Sequence, residues 1–179
     1  DWSYNSKHVL DKYATNDLFI EQLKPNSLLD VYAWNCYYKK CGIAKYITND
    51  KDIWKETDYH LDSSEFIYKN YKAKFDIVDL DPFGSAFDCF DIAIKIAQKG
   101  LIITLWELWH RRWKRLDFVK NRYWITVLDD NWIQKMNEYI LNRWLIYKKI
   151  LTPVFIKDWN NIWRIYYTIE SFKETSQWD

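Results

Sequence analysis

The sequence predicts a layered α/β fold with a mostly parallel sheet and an antiparallel hairpin near the C-terminal end. Short apolar runs typical of buried strands alternate with helical patterns, as in sheets whose parallel strands are connected through helices. Acidic residues stand at the ends of several of those runs. Only a few polar residues separate the last two runs, which is too short for a helical crossover and indicates a hairpin.

The first half of the chain contains six segments with a predicted secondary structure. Apolar residues at helical spacing cover residues 8–23, and the interruption near Thr15 and Asn16 predicts one broken helix or two short ones. The segments expected next are a strand at 27–32, a helix-like stretch at 35–41, a strand at 43–48, a short third strand at 59–61 and a helix at 64–71.

The second half begins with an apolar strand at 75–80, after which Ser85 is expected to cap a helix that ends at Gly100. The apolar stripe of that helix is Phe90, Ala93, Ile94 and Ala97. A strand is expected at 101–106, and strands at 152–156 and 162–169 form the hairpin around a turn at 157–161. Between them, Asp129 and Asp130 open a predicted helix that places Ile133, Met136, Ile140 and Trp144 on one face.

Composition narrows the class of protein. The formal net charge of +1 gives no global attraction to nucleic acid, so any such binding needs a local patch. No apolar run reaches the roughly 18 residues of a membrane span, and no secretory pattern opens the chain, so we expect one cytoplasmic domain over residues 1–179. The three cysteines lack paired spacing, and the three histidines lack ligand spacing, which predicts free thiols and no metal.

Acidic residues end four successive predicted strands: Asp30, Asp50, Asp62 and Asp81. Open α/β sheets bind ligands at the carboxyl ends of their strands, so these side chains are candidates for one site. Asp50 follows Asp30 by 20 residues, the spacing at which a carboxylate accepts hydrogen bonds from the ribose of a nucleoside cofactor.

The strongest motif is residues 79–85, Asp-Leu-Asp-Pro-Phe-Gly-Ser. Asp81 can accept the N–H hydrogens of an exocyclic amine, and Phe83 offers a ring on which an extruded base can stack. Pro82 keeps the turn rigid, and Gly84 lets the backbone pass close by. These residue types can meet what methylation of a base amine requires, although a strand-to-helix turn alone would also use Asp and Gly.

Residues 79–85 resemble the tRNA guanine-N2 dimethyltransferase family, whose corresponding motif reads almost identically. Further elements of the family are similar to Tyr4-Asn5, Asn16-Asp17-Leu18, Leu29-Asp30-Val31-Tyr32-Ala33, Asn49-Asp50 and Asp62-Ser63, so the resemblance runs from Tyr4 to Leu105. It implies a Rossmann-like class I methyltransferase fold, S-adenosylmethionine as cofactor and guanine N2 in RNA, above all tRNA, as target. The implied catalytic residues are Asp81, Pro82 and Phe83, and the implied cofactor-binding residues are Asp30, Ala33, Asn35, Asp50, Asp62, Ser63 and Asp79.

Two departures from the family keep other functions open. The loop after the first strand reads Ala33-Trp34-Asn35-Cys36 instead of being glycine-rich, and Asn16 stands where the family has an Arg positioned to meet the cofactor's carboxylate. These changes favour a non-catalytic methyltransferase fold that binds nucleic acid or protein. Methylation of adenine N6 in DNA is a second alternative, but the single Pro82 before Phe83-Gly84 favours guanine.

A basic segment follows the strand expected at 101–106. Arg111, Arg112, Lys114 and Arg115 are interleaved with Trp109 and Trp113, a composition that can hold phosphates while the rings stack on bases. The same spacing also fits a helix that packs its Trp stripe inward and exposes its cations. We carry these four residues as candidate nucleic-acid contacts.

Overall fold

The computed structural model describes residues 3–107, 116–125, 131–159 and 162–172. Its strands are β1 (Ser27–Asp30), β2 (Lys45–Thr48), β3 (Phe75–Leu80), β4 (Ala97–Leu105), β5 (Lys149–Asp158) and β6 (Trp163–Ser171). They form one sheet in the order β2-β1-β3-β4-β6-β5. The first four strands run parallel, whereas β6 pairs antiparallel with both β4 and β5. The predicted mostly parallel sheet with an antiparallel C-terminal hairpin is confirmed.

Helices cover both faces of this sheet. They are α1 (Ser3–Leu23), α2 (Ser63–Lys69), α3 (Phe90–Ile96), α4 (Leu116–Tyr123), α5 (Trp132–Asn142) and α6 (Trp144–Tyr147), with short 3-10 helices at Tyr37–Cys41 and Phe87–Cys89. Neighbouring strand residues such as Leu28 and Leu29 belong to different hydrophobic clusters, because side chains alternate between the faces. In the described ranges, no helix combines the length and apolar character needed to cross a bilayer.

Helix α1 is continuous, so the predicted interruption near Thr15 and Asn16 is wrong. Both side chains are buried against the rest of the protein instead of breaking the helix. Thr15 donates its hydroxyl to the carbonyl of Asp11 one turn earlier, at 2.9 Å, and Asn16 faces a buried arginine described below. Polar residues at these positions therefore mark an interior polar contact of the helix.

The segment around Gly100 also differs from the prediction. Helix α3 ends at Ile96, and Ala97 and Gly100 lie inside β4 instead of closing the helix. Gly100 is required there because α1 packs directly over it: a Cβ would meet Leu23 Cδ1 at 2.7 Å and the Phe19 ring at 2.9 Å. The glycine thus marks close packing of a helix on a strand.

Smaller corrections concern element lengths. The expected third strand at 59–61 is a single bridge between Asn49 and Tyr59, and β1 and β2 are each two residues shorter than predicted. Met136 and Ile140 are buried on α5 as expected, but Trp144 belongs to the separate helix α6. The predicted helix start at Asp129 and Asp130 lies outside the described residues.

Gly100→Ala should lower the free energy of unfolding by about 1–3 kcal/mol, because the added methyl group collides with the ring of fully buried Phe19. Gly84→Ala is the matched control, since a Cβ at Gly84 has no neighbour within 4 Å. Urea denaturation of both variants measures the difference. Equal stability of the two variants would contradict this account of α1 packing.

Candidate active site

A buried ion pair lies beneath the carboxyl edge of the parallel strands. Arg164 of β6 donates from Nη2 to Asp79 Oδ2 at 2.6 Å and from Nη1 to Oδ1 at 3.2 Å, and both side chains are almost fully buried. Tyr38 of the first 3-10 helix donates its hydroxyl to the same carboxylate. Burial would lower the pKa of Arg164, but the Asp79 charge holds that pKa well above its usual value. The guanidinium is therefore a permanent charge.

The remaining hydrogens of the guanidinium are also bound. Thr104 at the end of β4 accepts from Nη1 at 2.7 Å, and the Tyr166 hydroxyl accepts from Nε at 2.9 Å. Asn16 of α1 accepts from Nη2 at 3.1 Å and from the Tyr166 hydroxyl at 2.6 Å. Arg164 thus joins β3, β4, β6 and α1 at one point, with its buried donors satisfied as burial demands.

Asp30 ends β1 directly beside Asp79, with which it is paired across the parallel strands. Its carboxylate accepts a hydrogen bond from Tyr46 Oη at 2.8 Å and is 5% exposed. Burial and then the nearby Asp79 charge raise the pKa of Asp30 to about 8. At neutral pH, Asp30 is therefore mainly protonated.

Asp81 follows β3 and is half-buried. Lys12 of α1 forms an ion pair with its carboxylate, and Arg164 Nη1 lies 3.6 Å from Asp81 Oδ1. Burial alone would raise the pKa of Asp81, but these two cations hold it well below its usual value. The site therefore separates two carboxyl groups by environment, with Asp30 neutral and Asp81 ionised.

The ring of Phe83 projects from the turn after Asp81 and is 75% exposed, while Pro82 is buried beneath the turn. It contacts Trp34 of the loop after β1, with ring centroids 5.1 Å apart and planes at 60°. It also contacts Trp106 after β4, at 5.8 Å and 50°. We call Trp34, Phe83 and Trp106 the aromatic row. It runs along the carboxyl ends of β1, β3 and β4.

A buried carboxyl group supports the same turn from below. Glu107 accepts hydrogen bonds from Ser85 Oγ and Tyr123 Oη, both at 2.8 Å. Burial raises the pKa of Glu107, whose side chain is almost inaccessible to solvent. Ser85 in turn accepts from the amide of Phe87 at 3.2 Å, so the turn is bonded both to the segment after β4 and to the 3-10 helix that follows it.

Backbone hydrogen bonds fix the position of the loop after β1. The amide of Ala33 donates to the carbonyl of Asn49 at 2.8 Å, and that of Trp34 donates to Tyr32 at 2.9 Å. The exposed Asn35 side chain donates to the Tyr13 hydroxyl. Cys36 has φ 48°, a left-handed conformation that favours glycine, which accounts for glycine at such loops.

The Asn49 side chain connects the loops that carry Asp50 and Asp62, two further predicted cofactor residues. Its side chain donates to the carbonyls of Val31 and Leu61 and accepts from the amide of Leu61. Asp50 and Asp62 directly follow Asn49 and Leu61, so these bonds bring the two acids to neighbouring segments. Asp50 accepts from the Asp52 amide, and Asp62 caps α2 through the Ser64 amide ahead of half-buried Ser63.

The structure thus forms two groups from the predicted residues: Asp30, Asp79 and Asp81 around one guanidinium, and Asp50 with Asp62 around Asn49. Sequence reasoning missed Arg164, Lys12, Tyr46 and Glu107. Of these four residues, only Arg164 stood out in the sequence. It is the single charged residue among the first seven residues of β6, a mostly apolar strand. The predicted nucleic-acid contacts Arg111, Arg112, Lys114 and Arg115 lie outside the described residues.

The fold has a solved counterpart. Trm1 from Pyrococcus horikoshii, in complex with S-adenosyl-L-methionine, superposes with a TM-score of 0.68 at 14% identity, covering 86% of this chain and 53% of Trm1. Trm5b from Pyrococcus abyssi superposes with a TM-score of 0.45 at 10% identity, covering 81% of this chain and 44% of Trm5b. No family model and no curated protein matches the sequence. The superposition on Trm1 shows that the chain has a class I methyltransferase fold. The chain spans about half the length of Trm1.

Asp30→Asn should stabilise the protein relative to the wild type increasingly as the pH rises from 5 to 8. With a pKa raised from 3.8 to about 8, folded Asp30 keeps a proton that the unfolded chain releases. Its contribution to stability is therefore present below pH 4 and lost as the pH approaches 8. The asparagine cannot ionise, so the difference in unfolding free energy should grow by at least about 1 kcal/mol.

Thermal and urea unfolding at several pH values test this, with Asp50→Asn as the control for a half-exposed acid at the same edge. A pH-independent difference between Asp30→Asn and wild type would show that Asp30 is ionised in the folded protein.

Proposed function

We propose that this chain is an S-adenosylmethionine-dependent N-methyltransferase acting on an exocyclic amine of a nucleic-acid base, with guanine N2 in RNA as the target. The observation that supports this most is the ionised Asp81 beside the exposed ring of Phe83, on a turn tied down by Pro82 and Ser85. An acceptor next to a stacking surface is what a base amine requires. The likeness to Trm1 supports the same cofactor.

Asp81 acts as a hydrogen-bond acceptor for the target amine. Lys12 and Arg164 keep its carboxylate charged, so it orients an N–H and leaves the nitrogen lone pair directed at the incoming methyl group. S-adenosylmethionine supplies a methyl group already activated on a sulfonium. The N–C bond forms as the S–C bond breaks, and the surplus amine proton leaves afterwards, so the chain needs no strong base.

The residues present fit the cofactor. Asp50 is half-buried and Asp62 exposed, and their hydrogen bonds to local amides leave carboxylate lone pairs for ribose hydroxyls and the adenine amine. Asp30, Ala33, Asn35 and Ser63 complete the proposed cofactor contacts, and Asp79, buried with both oxygens bound by Arg164 and Tyr38, holds the strand end behind them. Asn16 replaces the family's Arg, and Arg164 brings a guanidinium to it from β6. That guanidinium is fully buried and its donors are taken, so it does not itself replace the contact that the family's Arg would make with the cofactor's carboxylate.

A non-catalytic nucleic-acid or protein-binding module is the second candidate. It is favoured by the amides of Ala33 and Trp34, which are already hydrogen-bonded to the carbonyls of Asn49 and Tyr32, and by the left-handed Cys36 without glycine. Binding of the cofactor separates the two candidates, because a module that has lost methyl transfer has no need to retain that affinity.

Asp81→Asn should reduce methyl transfer at least about a hundredfold while the cofactor dissociation constant stays within severalfold, since the carboxylate faces the amine. Asp62→Asn should instead raise the cofactor dissociation constant and leave methyl transfer from bound cofactor largely unchanged. The asparagine keeps the cap of α2 but is a weaker acceptor for the cofactor. Calorimetry with S-adenosylhomocysteine and tritium transfer to total tRNA and to DNA measure both effects.

Absence of binding heat at near-millimolar cofactor, with the wild-type chain folded, would overturn the methyltransferase proposal in favour of the binding module. Undiminished methyl transfer by Asp81→Asn would remove Asp81 from the mechanism. Transfer to DNA but not to tRNA would move the target to the adenine alternative.

A further inference from the structure

The aromatic row extends well beyond the one ring that a target base needs. Trp34 is 49% exposed and Phe83 is 75% exposed, side by side at the edge where the candidate site opens. Adjacent rings of this size exposed together cost free energy unless a partner covers them. The row is therefore a surface that calls for a ligand with flat apolar faces.

A lysine ammonium lies over the Trp34 end of the aromatic row. Lys55, in the loop that follows β2, places Nζ 4.6 Å from the centroid of the Trp34 ring. A base that takes the place of this ammonium over the Trp34 ring would bring its phosphate within reach of Lys55. Rings flanked by cations are the combination with which proteins follow the backbone of single-stranded nucleic acids.

We propose that the aromatic row binds consecutive unpaired nucleotides: Phe83 stacks on one base, Trp34 stacks on its neighbour, and Lys55 pairs with a phosphate of that neighbour. Only the identification of the base on Phe83 as the methylated one rests on the function proposed above. The flanking position depends on Trp34, a bulky residue in a loop that the resembled family keeps glycine-rich.

The ring geometry favours single strands over duplexes. The Trp34 and Phe83 centroids lie 5.1 Å apart with planes inclined by 60°, so no base fits between the two rings. Bases in a duplex are stacked about 3.4 Å apart and cover each other's faces. Only splayed, unpaired bases present faces at the wider spacing and changed inclination of the row.

Binding of a short unpaired RNA oligonucleotide, followed by fluorescence anisotropy, tests the proposal against the same sequence in a duplex. We expect Trp34→Ala to weaken binding of the single strand by about five- to a hundredfold, as loss of one base–aromatic stack does. Trp34→Phe should recover part of the affinity. Lys55→Ala should reduce the slope of log affinity against log salt by about one contact.

Phe172→Ala is the matched control. Phe172 is a 51% exposed ring just after β6, and because β6 runs antiparallel it lies at the opposite edge of the sheet. Its removal should leave RNA affinity unchanged. Circular dichroism of each variant verifies that the half-exposed Trp34 is not needed for folding, and Trp34→Phe keeps the test decisive if Trp34→Ala unfolds.

Unchanged affinity in both Trp34 variants, or equal affinity for duplex and single strand, would overturn the proposal. Cofactor calorimetry on the same samples separates the two proposals. Cofactor binding with no loss of RNA affinity in Trp34→Ala removes the stacking position alone. RNA binding that depends on Trp34 without any cofactor heat supports the stacking position and removes the methyltransferase function.

Discussion

The buried pair of Arg164 and Asp79 is the interaction on which the rest of the site depends. The pair links the antiparallel strand β6 to β3 near the carboxyl ends of the parallel strands. Through Asn16, Arg164 also links α1 to these strands. Removing one partner of such a buried pair leaves an uncompensated charge, a loss of about 3–5 kcal/mol. The pair thus explains why the hairpin that follows all the sequence motifs is nevertheless part of the site.

The Arg164 guanidinium also helps to determine which neighbouring carboxyl groups are ionised. Arg164 has two donors on Asp79 and lies 3.6 Å from Asp81, so it favours ionisation on that side, where Lys12 adds a second charge. Asp30, across the pair on β1, is buried beside the negative charge of Asp79 and keeps its proton at neutral pH. One fixed cation within a row of acids therefore gives an ionised carboxylate on the turn after β3 and a neutral acid at the end of β1.

Much of the fold followed from local pattern, whereas the chemistry of the site followed from contacts between distant segments. Strand β3 was predicted residue for residue because its buried run is bounded by polar residues. Gly100 was misplaced because a glycine between apolar runs reads equally as a helix end or as room for a packed helix. Arg164 was missed because only the folded chain brings it to Asp79, 85 residues away, and nothing in its own strand names the partner.

The departures in the loop after β1 have a common physical sense. Cys36 has the left-handed backbone that glycine adopts most easily, so this loop makes its turn without a glycine. The bulk added at Trp34 does not fill the interior, because the ring is half exposed and packs on Phe83 and under Lys55. The bulky residue of this glycine-free loop thus lies on the side that faces Phe83. Trp34 therefore adds aromatic surface beside the turn that carries Asp81.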